Sequence, residues 1–108
     1  MQLDRLTIKS QEAVHHAQRL AEQHRHAEMD VEHLALALIE QEDGVVRPLL
    51  GRLGVSVDQF KAELQKTLSS RATVDGSAME RYPSRNLRKA LDDAFQFAEK
   101  MKDEYVST

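Results

Sequence analysis

Residues 30–39 read Asp30-Val31-Glu32-His33-Leu34-Ala35-Leu36-Ala37-Leu38-Ile39. Asp30 is one of the residue types whose side chain satisfies an orphan amide at a helix start. Glu32 then brings negative charge to the positive end of the helix dipole. From Val31 onward the segment is apolar nearly all round. A helix without a polar face must be surrounded by others, so this stretch predicts the buried centre of the fold. Its apolar run, Leu34 to Ile39, is far shorter than the roughly 20 residues that span a bilayer. The surroundings are helical too. Alanine and leucine make up more than half of the apolar residues, and both are good helix formers. The 4 glycines and 2 prolines all fall between Gly44 and Gly54 or between Gly76 and Pro83. Residues 1–43 and 84–108 are free of these breakers, and long helices are expected there.

Toward the N-terminus, Thr7 is placed to cap a helix expected to run to about His26. Ala13, Ala17, Leu20, His24 and Ala27 share one face of it, flanked by Val14 and Ala21. Toward the C-terminus, Gly44 ends the central segment. A short helix follows from Val45 to about Leu53, with Pro48 tolerated in its first turn and Gly54 as a left-handed cap. Ser56 and Gln59 form a capping-box pattern for a fourth helix that carries Val57, Phe60, Leu64 and Leu68 on one face. Residues 69–83 have no period and read as a connecting loop. Pro83 disfavours helix at Tyr82, and Ser84 is placed to cap a fifth helix. Leu87, Leu91, Ala94, Ala98 and Met101 form its stripe, with Phe95 and Phe97 on opposite shoulders and Asp103 closing it.

Shifting the chain by 77 residues lays Ala13, Ala17 and Ala21 on Ala90, Ala94 and Ala98 without a gap. Val14 falls on Leu91, Leu20 on Phe97 and His24 on Met101. Self-similarity at a fixed offset marks duplicated helical units. The expected fold is therefore all-α, a duplicated pseudo-symmetric helical repeat with its second repeat truncated. Residues 1–68 would form the first repeat, 69–83 the connecting loop and 84–108 the start of the second, in one domain. A fifth helix without its second-unit partner would expose Leu91, Ala94 and Ala98. The isolated chain is then expected to dimerise or to leave its last residues loosely packed.

Several functions are disfavoured. The 15 basic and 18 acidic residues give a net charge of -3, which supplies no general attraction to nucleic acid or anionic membrane. There is no cysteine, so disulfides and thiolate chemistry are excluded. No basic-then-apolar leader opens the chain, and a soluble, cytoplasmic protein is expected. His15 and His16 point apart on a helix, as would His24 and His26, and no His-Glu-x-x-His motif occurs. No metal is expected, and His24 reads as a packed, hydrogen-bonded core residue. The serines sit at caps or in loops, and no nucleophile elbow surrounds any of them, so no enzyme activity is expected of this chain. Leu49 to Asp58 resembles a helix-turn-helix, which leaves a small DNA-binding regulator as an alternative of another class. The charges of its second helix, Asp58, Lys61, Glu63 and Lys66, cancel. A helical hairpin ending on a glycine cap explains the same residues.

A set of fragments in order carries a family likeness: Leu3-Asp4-Arg5-Leu6-Thr7, Gln11-Glu12-Ala13, Glu32-His33-Leu34, Pro48-Leu49-Leu50, Leu53-Gly54-Val55, Tyr82-Pro83-Ser84 and Asp103-Glu104-Tyr105-Val106-Ser107. Together they resemble the N-terminal repeat domain of Clp unfoldases. The Leu-Asp-Arg-Leu-Thr start and the Tyr-Pro-Ser spacing look most like the ClpB-type disaggregases. The resemblance implies a module that catches exposed apolar stretches of unfolded or aggregated polypeptides. It would pass them to a homohexameric, ATP-driven ring working with the DnaK chaperone system under stress. The similar domain of the ClpA/ClpC type, which docks adaptor proteins, is the alternative. ATP would serve the parent protein, because no Gly-x-x-x-x-Gly-Lys-Ser/Thr loop occurs here and no cofactor is expected in this chain. The breadth of Leu87, Leu91, Phe95 and Phe97 exceeds what one small helix needs for packing, and a seam between repeats is a natural groove. Core packing remains open for both phenylalanines. Thr7 and Asp103 match the family pattern near the junction of the halves and join Leu91, Phe95 and Phe97 as candidate polypeptide-binding positions.

Overall fold

The computed structural model describes residues 6–41, 43–74 and 81–104, and for residues 98, 99 and 101–104 the backbone alone. Five helices are described: α1 (Ile8–Gln23), α2 (Val31–Glu40), α3 (Val46–Arg52), α4 (Val57–Ser69) and α5 (Arg85–Glu104). The fold is all-α. No strand is formed among the described residues beyond an isolated bridge between Met29 and Pro83.

α2 is the hub. It packs on α1, α3, α4 and α5, and it buries His33, Leu36, Ala37 and Ile39. α1 lays Ala13, Val14, Ala17, Leu20 and Ala21 against it, and the small residues allow close approach. α4 adds Leu64 and Leu68 to the same core, and α5 adds Leu87. Each fully buried leucine contributes roughly 1.5–3 kcal/mol through area removed from water.

The caps are largely those expected. Thr7 Oγ1 accepts from the Ser10 amide at 3.1 Å, and Ser56 Oγ from the Gln59 amide at 3.3 Å. α3 ends on Gly54 at φ 79, where the amides of Gly54 and Val55 return to the carbonyls of Gly51 and Leu50. Arg47 Nε donates to the Ile39 carbonyl at 2.6 Å and so places a cation at the C-terminal end of α2.

Two expectations are corrected. α1 stops at Gln23, not near His26, because Arg25 takes a left-handed φ of 57 and the amides of Arg25 and His26 close a Schellman turn on Glu22 and Ala21. Ala27 therefore leaves the stripe and is exposed. Phe60, expected on the buried face of α4, is 37% exposed, because α2 covers only the later turns at Leu64 and Leu68. Of the expected 69–83 loop, residues 70–74 and 81–83 lie outside the helices. Ser69 belongs to α4, and Arg81 is wholly buried. The rest of that expectation, residues 75–80, lies outside the described residues.

Candidate functional site

Two features stand out: the apolar side chains along α5 and the polar junction that fastens α5 to the body. Burial declines along α5. Leu87 is 1% exposed, Leu91 and Phe95 are half-buried, and Phe97 is 64% exposed. The helix is thus anchored by its first turns, and an apolar band continues beyond the anchor. The molecule measures 47 × 31 × 21 Å with a radius of gyration of 14.9 Å, above the about 13 Å of a compact chain this long. Thr7, at the start of α1, is exposed and engaged with Ser10. Asp103 lies within α5, which runs one residue past it, and its side chain lies outside the described residues. Leu91, Phe95 and Phe97 therefore share one helix. Leu6, next to Thr7, packs on the same core as Leu91.

The junction is built where the chain enters α2 and α5. The Met29 amide donates to the Tyr82 carbonyl at 3.0 Å, and the Ser84 amide to the Met29 carbonyl at 2.8 Å. Their side chains lock the same crossing. Ser84 Oγ accepts from the Leu87 amide at 3.1 Å, capping α5, and donates to Asp30 Oδ1 at 2.8 Å. Asp30 in turn caps α2, accepting from the Val31 amide at 2.7 Å. The two helix caps are thus hydrogen-bonded to each other. Arg71, just past α4, spans Asp30 Oδ2 at 2.9 Å and Glu32 Oε1 at 2.7 Å. Burial alone would raise the Asp30 carboxyl, but the bonds from Val31, Ser84 and Arg71 hold it below the usual range. The Arg71 guanidinium loses solvation there, yet its two carboxylate partners shift it upward.

Beneath lies a histidine chain. The Asp30 amide donates to His33 Nδ1 at 2.8 Å, and His33 Nε2 lies 2.8 Å from His26 Nδ1. His26 also bonds to the Leu68 backbone on α4. His26 and His33 are 1% and 0% exposed. Burial pushes His33 down from 6.5 to about 4, helped by His26 and Arg71. It lowers His26 as well, helped by His24 and Arg71. His24, expected in the core, is half-buried. Its Nδ1–H donates to the Leu20 carbonyl at 2.9 Å, and its ring stacks on His26 at 5.3 Å. The two histidines were expected to diverge, as they would on a helix. They stack because α1 ends before both and the left-handed turn at Arg25 separates them.

The sequence signal for His33 was present: it stands three residues after the Asp30 cap, where a capping-box side chain reaches back. Arg71 and Arg81 carried no such signal, because they lie in a segment without period. No group of three or more His, Cys, Asp or Glu among the described residues could hold a metal ion. No described helix is long and apolar enough to cross a membrane.

The helical fold is shared with known proteins. Residues 5–108 match the model of the Clp repeat (R) N-terminal domain, and the chain belongs to that family. It is similar to the chaperone protein ClpB of Nitratidesulfovibrio vulgaris, with 40% identity over 110 residues. It is also similar to ClpB of Bacillus cereus, with 36% identity over 110 residues. Each match covers 99% of this chain and 13% of the relative, so the chain spans about an eighth of the curated relatives it matches. Among solved structures it resembles the N-domain of ClpV from Vibrio cholerae, with TM-score 0.78 and 24% identity. It resembles equally the complex of the ClpV N-domain with a VipB peptide, with TM-score 0.78 and 27% identity. Each covers 90% of this chain and 57% of the other.

Proposed function

We propose that this domain is the polypeptide-recognition module of a ClpB-type disaggregase, and that it captures apolar stretches of unfolded or aggregated chains on the apolar side chains of α5 around Phe97. The observation that carries the reading is Phe97, a large aromatic 64% exposed on the same helix as the half-buried Leu91 and Phe95. An exposed aromatic on a helix that also carries Leu91 and Phe95 offers a surface that accepts many sequences, because apolar contact reads little but shape. Thr7 and Asp103 join the proposal as polar positions at its margin. Support also comes from the ClpV N-domain, which has been solved in complex with a VipB peptide. In the parent protein the captured segment would pass to a homohexameric ATPase ring acting with DnaK in the cytoplasm. ATP would bind in that ring and not in this chain.

The domain's division into repeats belongs to the same proposal. α1 and α5 begin 77 residues apart, and each is capped by a hydroxyl, Thr7 and Ser84. The exposed band also makes weak self-association the expected competitor of peptide at high concentration.

Titration with an unstructured apolar peptide, followed by amide and methyl NMR, tests the reading. Shifts should gather at Leu91, Phe95 and Phe97, and Phe97→Ala should weaken binding about tenfold. Unmoved resonances on α5 with every unfolded client would sink it. Binding confined to one defined peptide would instead favour the adaptor-docking role of the ClpA/ClpC type.

A further inference from the structure

The hydrogen-bond chain under the junction has only one arrangement of protons. An amide can only donate, so His33 Nδ1 must carry its lone pair toward Asp30. The His33 proton is then on Nε2 and is donated to His26 Nδ1, which must also carry a lone pair. That leaves the His26 proton on Nε2. Each ring is neutral, and each tautomer is fixed by its neighbour. A further proton finds no acceptor. On His33 it would sit at Nδ1, against the Asp30 N–H. On His26 it would sit at Nδ1, against the His33 N–H. Both rings are fully buried, so water cannot take up the charge.

We propose that the Asp30–His33–His26 chain is an acid-operated latch, in which one added proton frees the Met29–Ser84 crossing and lets α5 swing from the α1–α4 body. The crossing is one residue from the bond that breaks: Asp30 gives its amide to His33, while Met29 exchanges backbone bonds with Tyr82 and Ser84. The Asp30 carboxylate also holds Ser84, the cap of α5. Turning the Asp30 amide away from its ring therefore strains both links to α5 at once.

The charged and titratable groups facing the pair come from every neighbouring segment. His24 stacks on His26 from the end of α1. Asp30 lies at the N-cap of α2. Arg71 approaches from the end of α4. Asp30 favours a proton on His33, but Arg71 and the other two imidazoles oppose it, as burial does. The sign follows. With the closed-state value of His33 depressed, the latch is fully closed above the ordinary 6.5 and weakens as pH falls toward about 4. Asp30 is held below its usual range, so its carboxylate remains ionised across that window.

Long-range proton–nitrogen NMR of the imidazoles, with amide hydrogen exchange of the protein, tests the latch. His33 and His26 should show the Nε2–H tautomer at pH 7, and His33 should titrate below pH 5. After correction for intrinsic rates, protection of the Leu87 and Arg88 amides should fall roughly twenty-fold from pH 7 to pH 5, ahead of α1 and α2. His33→Asn, which keeps an acceptor for the Asp30 amide but cannot titrate, should flatten that fall to under about threefold. Three results overturn the proposal: His33 titrating near 6.5 or protonated on Nδ1 at pH 7; α1 and α2 losing protection in step with α5; or an unchanged pH response in the variant. If the variant does not fold, the imidazole titration and the order of exchange in the unaltered protein decide alone.

Discussion

α1 and α5 begin alike and end differently. Each starts after a hydroxyl cap, with Ser10 and Leu87 donating to Thr7 and Ser84. Each repeats alanine at every fourth position, so Ala13 and Ala17 have counterparts in Ala90 and Ala94. In α1, Ala13, Val14, Ala17 and Leu20 are buried, because α2 lies along the whole stripe. In α5 their counterparts are Ala90, exposed, Leu91, half-buried, Ala94, exposed, and Phe97, exposed. α5 meets α2 only over its first turns, where Leu87 enters the core. Periodicity therefore tells which face of a helix is apolar. What covers that face is settled by the neighbours, and the two helices have different ones.

The equivalent pair Leu20 and Phe97 gives the largest expected contrast. Leu20→Ala removes buried methyl groups and leaves a cavity against α2, and should cost about 3 kcal/mol in urea unfolding. Phe97→Ala should change stability by less than about 0.5 kcal/mol, because the ring is mostly in water already. Its effect should appear in peptide binding. Equal costs at the two positions would make the α5 band core and would remove the surface on which the functional proposal rests.

The caps come next. Thr7 is exposed, and losing its bond to the Ser10 amide lets water replace it, so Thr7→Ala should cost about 0.5 kcal/mol. Ser84 is buried and serves two helices, since it caps α5 and donates to the Asp30 carboxylate. Ser84→Ala leaves both the Leu87 amide and a carboxylate lone pair without a protein partner, and should cost about 2 kcal/mol. Thermal unfolding of the two variants side by side checks the ratio. A Thr7 variant as damaged as the Ser84 variant would mean that the start of α1 is also tied into the body.

Much of this could be read from the sequence. Thr7, Asp30, Ser56, Gly54 and Ser84 all act as the helix boundaries their residue types suggest. Those signals are local, since a cap depends on atoms three residues away. The breadth of α5 around Leu91 and Phe97 was legible for the same reason. The end of α1 was not, because Arg25 is no glycine and nothing in its type signals a left-handed turn. The junction was hidden for another reason. Ser84 meets Asp30 across 54 residues and Arg71 meets it across 41, so those partners exist only once the helices have packed. His26 and His33 likewise meet only once α1 has ended and the helices have packed.

The smallest expected effect tests whether α5 is held by anything besides its first turns. Lys89 and Asp93 pair at 3.1 Å on the helix surface, with 76% and 61% of their side chains exposed. The order is the weaker one: a cation four residues ahead of an anion opposes the helix dipole, and solvent screens both. Alanine has at least the helix propensity of lysine. Lys89→Ala should therefore alter stability by no more than a few tenths of a kcal/mol. The pair should also add little to the salt dependence of unfolding, because water already weakens an ion pair this exposed. A loss above about 1 kcal/mol would mean that this face of α5 touches the body. The helix would then be fastened along its length, and α5 would resemble α1 more closely than the exposure of Phe97 indicates.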